Sequence, residues 1–501
     1  MGRPTDLIGV HARLQPERLA AHELTSGQRW TFRELDDHIG RIAAQLVARG
    51  FAPGDRLAVL ARNSVHLLAL HFACGRAGLI YAPLNWRLNA AELMVLTELA
   101  APSLLLSDGK EDEETQRTLQ PESLSAFLDS CAGTAPLDAP LLDIDRPSLI
   151  LFTSGTSGRS KGVIVTERNL LQTAINFGML TRVDNKSVFL CDAPMFHVMG
   201  LVTNFRPVLM QGGAVHVSDG FDATRTLERL ADPALGITHY AGVPQMMESF
   251  RRQPSFDPDR LRHMTALVSG GAPHNPADLD AWLADGIPLV QGFGMSEAGT
   301  VFGMSVDLDT IRRKRGSAGI GTPTIETRLV DSEGREVPRG EPGELLLRGP
   351  SITPGYWRNP EETAKAIDAE AWFATGDIAR CDEDGFFWIV DRRKDMYISG
   401  GENVYPAEIE ALLVGYPGIA EYTVIGLPDL RWGESGCVAV VPDAGATIDE
   451  NELLGFLAAR LARHKMPKTV TILESLPRTS TGKIQKAALR TQLSGKPEGT
   501  V

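Results

Sequence analysis

The residues best suited to chemistry in this 501-residue chain lie in one run, Thr153-Ser154-Gly155-Thr156-Ser157-Gly158-Arg159-Ser160-Lys161-Gly162. Glycines let the main chain turn and expose its N–H groups. Together with the hydroxyls and the ammonium of Lys161, those groups make a cradle for polyphosphate. The run is not a Walker A loop, which needs GxxxxGK[ST], because Ser160 precedes Lys161 and Gly162 follows it. The competing reading is a flexible Ser/Gly linker. The apolar run at residues 148–152 directly before it argues against that, since linkers rarely begin at the end of a buried strand.

The elements that must position this loop follow from periodicity. Residues 56–60 read as a buried strand, 65–76 as a helix ending at Gly78, and 104–106 as a short strand between Ser103 and Ser107. Such alternation through the first four fifths of the chain predicts a parallel α/β architecture. Residues 132–146, rich in Ala, Pro and Asp, read as a linker between two halves of a large N-terminal domain. A second boundary falls at Asp391-Arg392-Arg393-Lys394-Asp395, all charged, with Gly400-Gly401 close behind. Beyond it, Pro406 can open a helix over 407–413. Strands are expected at 422–427 and 437–441, and Leu453, Leu457 and Leu461 mark one helix face. The fold class is therefore α/β, with stacked α/β subdomains at about 1–145 and 146–391. A small α+β domain at 395–501 completes the chain.

Composition narrows the partners. The net charge is -13, so a nucleic acid would be repelled on average. Hydrophobic residues make up 43% and charged residues 23%, as in ordinary globular proteins. Cys74, Cys131, Cys191, Cys381 and Cys437 are far apart and form no CxxC pair, which fits a reducing cytosol rather than a zinc site or a disulfide framework. Residues 1–6 lack the apolar core of a signal peptide. Asp6 stands where a myristoylation signal wants Ser or Thr. No run reaches a membrane span of about 20 apolar residues, and the nearest, 67–83, is broken by Arg76 and two glycines. A cytoplasmic enzyme is expected, with room for peripheral membrane contact.

At the Thr153–Gly162 loop the chain resembles the adenylate-forming superfamily of acyl-CoA synthetases, firefly luciferases and peptide-synthetase adenylation domains. The resemblance covers nearly the whole chain, with its blocks in the family's order. It implies that Thr153, Ser154, Gly155, Thr156, Ser157, Gly158 and Lys161 bind ATP phosphates. Ala193-Pro194-Met195-Phe196-His197-Val198-Met199-Gly200 resembles the acyl-site block, with His197 between the carboxylate and the thiol tunnel. Ser269-Gly270-Gly271-Ala272-Pro273 resembles the adenine turn, Gly271, Ala272 and Pro273 meeting the nucleotide. Gln291-Gly292-Phe293-Gly294-Met295-Ser296-Glu297 follows. Phe293 replaces the family's usual Tyr and keeps its stacking face. Ser296 is a phosphate contact in place of Thr, and Glu297, with Thr156, is implied to hold Mg²⁺. Asp377 resembles the ribose carboxylate, which can accept from both ribose hydroxyls. Ile389 and Arg392 complete the nucleotide site, and Lys394 of segment 392–394 falls on the hinge. Gly400, Gly401 and Glu402 are implied to line the CoA tunnel. Pro477-Arg478-Thr479-Ser480-Thr481-Gly482-Lys483 resembles the terminal lysine loop, which makes Lys483 the adenylation lysine.

The activity so implied is ATP-dependent acyl-CoA synthesis. A carboxylate attacks ATP to give acyl-AMP and pyrophosphate, and the acyl group then passes to coenzyme A. Met195 to Gly200 contains no Asp to bind an α-ammonium, which disfavours an amino acid. Gly292 stands where malonate-type ligases carry Arg, which disfavours a short diacid. His197, Val198, Met199, Gly200, Gly270, Val301 and Phe302 are expected to form an apolar acyl pocket. A medium- or long-chain fatty acid and an aryl-propenoic acid both fit. The alternative acceptor is a separate carrier protein, and a homodimer is the family-level expectation.

Overall fold

The computed structural model describes residues 6–137, 143–154, 160–271, 274, 276–399, 402–478 and 484–494, with the main chain only of Ser154 and Pro276. These residues form two compact units. The first comprises Met1–Thr327, Leu347–Phe373 and Gly385–Phe387; the second comprises Arg328–Leu346, Ala374–Asp384 and Trp388–Val501.

The first unit carries two sheets. In one, the strands run in the order Glu122–Ser123, Leu104–Ser107, Arg56–Leu60, Ile80–Pro83, Pro147–Ser154 and Ser160–Thr166. All neighbours are parallel except the last pair, which is an antiparallel hairpin. Strands buried on both faces should be apolar throughout, and Leu57, Ala58, Val59 and Leu60 are all buried. The following helix, Val65–Ala77, stops at Gly78, whose φ of 77° closes the last turn through its N–H on Cys74 O. That is the glycine end read from the sequence. Helix Phe32–Ala48 starts with a full capping box of Thr31 and Glu34, which satisfies two N–H groups at the helix start.

The other sheet of this unit has a parallel centre: Leu289–Met295, Ala266–Ser269, His239–Gly242, Val188–Cys191, Ala214–Val217 and Leu19–Glu23. Gly299–Gly303 and Arg29–Thr31 flank it antiparallel. In open parallel sheets, ligand-binding loops follow the carboxyl ends of strands. Strands of this sheet end at Ser269, Met295 and Cys191, where the blocks 269–273, 291–297 and 193–200 fall in the sequence. The described residues of the expected linker, 132–137 and 143–146, make tertiary contacts. Leu137 N–H bonds Gly40 O at 2.9 Å, and Arg146 donates to Gly75 O at 2.8 Å from a largely buried position.

The second unit is built on a long hairpin, Ile419–Asp429 with Gly433–Pro442, whose strands extend beyond the apolar runs that announce it. Alternation divides its side chains. Val424, Val438 and Val440 join Ile409, Leu453 and Leu457 on one face. Ile425, Cys437 and Ala439 join Leu489 and Leu493 on the other. Helices Pro406–Leu412 and Glu450–Ala458 therefore cover one side and the tail helix Lys486–Ser494 the other. Leu461 falls outside the expected helix, which is capped at Ala459, yet still packs on the same core.

Candidate active site

In the first unit the hairpin Pro147–Ser154/Ser160–Thr166 gives the Ser/Gly loop its footing. Thr153 pairs with Lys161 and Ser154 with Ser160, so both ends of the run are strand. Gly155, Thr156, Ser157 and Gly158 lie outside the described residues. The segment around Tyr356 runs alongside the hairpin. Trp357 N–H bonds Gly162 O at 2.7 Å, and Val163 bridges Tyr356. This places the Lys161 ammonium 4.9 Å from the centre of the Tyr356 ring, within cation–π range. The same ammonium pairs with Glu362. The Lys161 bond, and then that from Lys365, hold the Glu362 carboxyl down at about 2.

Glu297 stands just past strand Leu289–Met295, with 9% of its surface exposed. Its main-chain oxygen accepts from Thr353 N–H at 2.7 Å. Its carboxylate accepts from Tyr356 O–H at 3.2 Å. Burial, and next the Glu297 charge, raise the Tyr356 phenol well above its usual range, so it remains a donor at neutral pH. One tyrosine thus connects Lys161 and Glu297. Neither Tyr356 nor Glu362 was among the residues singled out in the sequence. The nearest sequence cue was an aromatic pair, Tyr356-Trp357, after Gly355 and before the acidic helix Pro360–Ala366.

Gln291, Gly292, Phe293, Gly294 and Met295 form the end of strand Leu289–Met295, and Ser296 follows half-buried. Phe293 lies opposite Phe302 in the antiparallel pair, their rings 5.6 Å apart. Val301 and Phe302 have no exposed surface, and the Phe302 ring stacks on Phe387 at 4.3 Å. A Cβ at Gly294 would lie 2.4 Å from Gly299 O, so only glycine fits there.

At the neighbouring strand end, Gly271 has φ of 85°, while Ala272 and Pro273 lie outside the described residues. A Cβ at Gly270 would sit 3.3 Å from Gly292 O and 3.8 Å from the Met199 methyl carbon. Gly270, the Gly292 carbonyl and the Met199 side chain are thereby close neighbours. Met199 opens a π-helix, Met199–Thr203, a feature frequent at functional sites. Gly200 packs on the Ala193-Pro194 main chain so closely that a Cβ would lie 2.1 Å from Pro194 O. His197 and Val198 are half-buried beside it, with the His197 ring edge-on to Phe196 at 4.5 Å.

In the second unit, Asp377 is 2% exposed within strand Phe373–Cys381. Arg392 Nε donates to its Oδ1 at 2.7 Å, and its own N–H bonds Thr375 Oγ1 at 3.0 Å. Ile389 is half-buried in strand Phe386–Arg392. Lys394 is exposed in the turn that follows. Glu402 is exposed and lies opposite Ser399; Gly400 and Gly401 lie outside the described residues. So does Lys483, though Arg478 and Ile484 on either side of its segment bridge each other.

Two family models match the chain: the AMP-binding enzyme model at residues 9–357 and the AMP-binding enzyme C-terminal domain at 408–483. The chain belongs to the AMP-binding enzyme family. Within it the protein is an acid–thiol ligase, an ATP-dependent acyl-CoA synthetase that uses ATP, Mg²⁺ and CoA. It forms acyl-AMP with release of pyrophosphate, then transfers the acyl group to CoA and releases AMP. A feruloyl-CoA synthase from Amycolatopsis sp is 39% identical over 484 residues, covering 96% of each chain. The long-chain-fatty-acid–CoA ligase FadD13 of Mycobacterium tuberculosis is 34% identical, covering 97% of this chain and 98% of that one. Among solved structures, ATP-bound MatB from Rhodopseudomonas palustris aligns with a TM-score of 0.90 at 32% identity, covering 99% of each chain. No described helix is long and apolar enough to cross a membrane.

Proposed function

We propose that the acid is an aryl-propenoic acid of the ferulate or coumarate kind. The observation that carries this is the likeness to a feruloyl-CoA synthase, 39% identical over 96% of each chain. Gly270 and Gly292, which carry no side chains, and Met199 lie close together at the expected acyl site. A methionine sulfur makes favourable contacts with aromatic edges. Val301 and Phe302, fully buried, would back the acyl site from the core.

The residue roles follow from chemistry. Glu297 fits Mg²⁺: it is a largely buried carboxylate oriented by the Tyr356 hydroxyl, and hard oxygen is what this ion takes. When bound, Mg²⁺ neutralises charge on phosphate oxygens. Thr153, Ser154, Gly155, Thr156, Ser157, Gly158 and Lys161 would hold the phosphates. Gly271, Ala272, Pro273 and residues 291–296 would take the adenine side. Asp377 would accept from the ribose hydroxyls, with Ile389 and Arg392 beside it. His197 would stand by the reacting carboxylate. Lys483 would place its ammonium against charge developing in the first transition state. Gly400, Gly401 and Glu402 would face the thiol in the second step, with the change at Lys394 in a hinge at 392–394 between an N-terminal domain at 1–391 and a C-terminal domain at 395–501. The enzyme would work in the cytoplasm, as a homodimer.

Two measurements test this. Pyrophosphate release with CoA present is compared for ferulate, coumarate, decanoate, palmitate and malonate. The aryl-propenoates should give the highest kcat/KM; preference for a fatty acid would overturn the choice. Lys483→Ala should abolish pyrophosphate release yet spare CoA acylation from supplied acyl-AMP, and equal loss of both would refute the division of labour.

A further inference from the structure

Helix Pro406–Leu412 is gripped at both ends by groups that are not assigned to either half-reaction. At its first turn, Asp391 Oδ2 accepts from Ala407 N–H at 2.9 Å, while Oδ1 accepts from Arg392 N–H at 2.7 Å. Asp391 is 9% exposed and immediately precedes residues 392–394. Burial raises its carboxyl pKa, and the nearby Lys486 ammonium acts against that shift. One turn along, Glu410 Oε1 accepts from Thr423 Oγ1 at 2.8 Å and from Val424 N–H at 2.7 Å. Val424 lies in Ile419–Asp429, the outermost strand of its sheet, so Glu410 satisfies a main-chain donor on an open edge. The same oxygen takes the Lys486 ammonium at 2.8 Å, both side chains being mostly buried.

Lys486 is the first residue of the tail helix, which packs on the opposite face of the sheet. It therefore reaches round the open edge. Its helix begins three residues after Lys483. Ahead of residues 479–483, Arg478 pairs with Glu421 at 2.8 Å. Gln485 holds Pro477 O through its N–H and Arg478 O through its side chain, both at 2.7 Å.

We propose that Lys486 is a positioning residue for Lys483: through Glu410 it ties the lysine segment to helix Pro406–Leu412, which Asp391 ties in turn to residues 392–394. This rests on the reading in which Lys483 serves the first half-reaction. A torsional change at 392–394 would then reach the start of the tail helix at Lys486 through helix Pro406–Leu412. The tie acts on placement alone, because Lys486 touches neither substrate nor reacting atoms.

The test measures the half-reactions separately in full-length Lys486→Met, Lys486→Arg and Lys483→Ala. Pyrophosphate release without CoA reads adenylation. CoA acylation from supplied acyl-AMP reads the second step. Lys486→Met should slow adenylation about tenfold or more, the scale of a small misplacement of a catalytic group, and leave the second step within about twofold. Lys486→Arg should restore it. If Lys486→Met folds poorly, Glu410→Gln removes the charge partner while keeping acceptors for Thr423 and Val424, and the same split is expected. Equal loss of both steps, or no loss, beside a selective Lys483→Ala would overturn the positioning role alone. A non-selective Lys483→Ala would overturn the reading beneath it, and the positioning role with it.

Discussion

The two ends of one hairpin, Pro147–Ser154 with Ser160–Thr166, carry networks built on opposite principles. At the base, Glu167 is 5% exposed and surrounded by cationic and hydroxyl donors. Arg206 Nη1 lies 3.1 Å from it, Arg146 4.0 Å, and Ser148 Oγ donates at 2.5 Å. Arg206 in turn contacts His71 Nε2 at 2.8 Å. Burial pushes against ionisation of Glu167, yet Arg206 and Ser148 win and hold it at about 2. At the turn end, Lys161 pairs with Glu362, and the neutral Tyr356 phenol stands between Lys161 and the second acid, Glu297. The base network is locked by complementary charge. The turn-end network keeps Lys161 and Glu297 apart and oriented, as the proposed binding of an anionic substrate and its metal would require.

Removing the charge at each end should expose that difference. Glu167→Ala leaves Arg206 and Arg146 buried without their acid, which costs about 3–5 kcal/mol for a broken buried pair. Urea unfolding should show this loss, while kcat/KM of the folded fraction stays near wild type. A large fall in kcat/KM at full folding would break the contrast.

Acid should act on the base and spare the turn end. Burial, and then Arg206, hold His71 down at about 3, against 6.5 in the unfolded chain. The native state keeps His71 neutral while the unfolded state gains the proton. Stability is therefore full above pH 6.5 and falls as pH drops toward 3. Between pH 7 and 5 the loss is about 2 kcal/mol for this one group. Urea midpoints at the two pH values, compared with His71→Gln, should show a shallower slope in the variant. His38 and His216, both lowered to about 4 chiefly by burial, keep some slope in either case.

The smallest effect is expected at the turn end. Tyr356→Phe keeps the ring over Lys161 and removes the bond to Glu297. One hydrogen bond to a charged group is worth about 1.5–3 kcal/mol; at 3.2 Å this one falls at the lower end, so kcat/KM for ATP should fall about tenfold with little change in unfolding. A loss confined to stability would make Tyr356 a packing residue and dissolve the contrast.

How much of this was legible in the sequence depended on distance along the chain. Strand Arg56–Leu60 and the stop at Gly78 follow from neighbouring residues, so periodicity and a left-handed glycine found them. The Ser/Gly run was recognised by composition, but its strand ends were not, because pairing Thr153 with Lys161 requires knowing that the run turns back on itself. Tyr356 and Glu362 reach Lys161 from a segment far down the chain, and nothing local marks that approach. The π-helix at Met199–Thr203 was equally invisible. It coincides with Gly200 lying flush on Pro194, a tertiary contact that no periodic pattern marks. Arg146 was hidden in a stretch whose Ala and Pro content reads as linker, because its partners at Gly75 and Glu167 are tertiary.

The glycines divide the site into parts that tolerate redesign and parts that do not. A methyl group at 294 or 200 would strike main chain at 2.4 or 2.1 Å; substitution there would deform the scaffold before it altered any preference. At 270 the nearest obstacles stand at 3.3 and 3.8 Å, one of them the movable end of Met199. A library meant to retune which acids are accepted would therefore vary 199 and 270 together and hold 200 and 294 fixed.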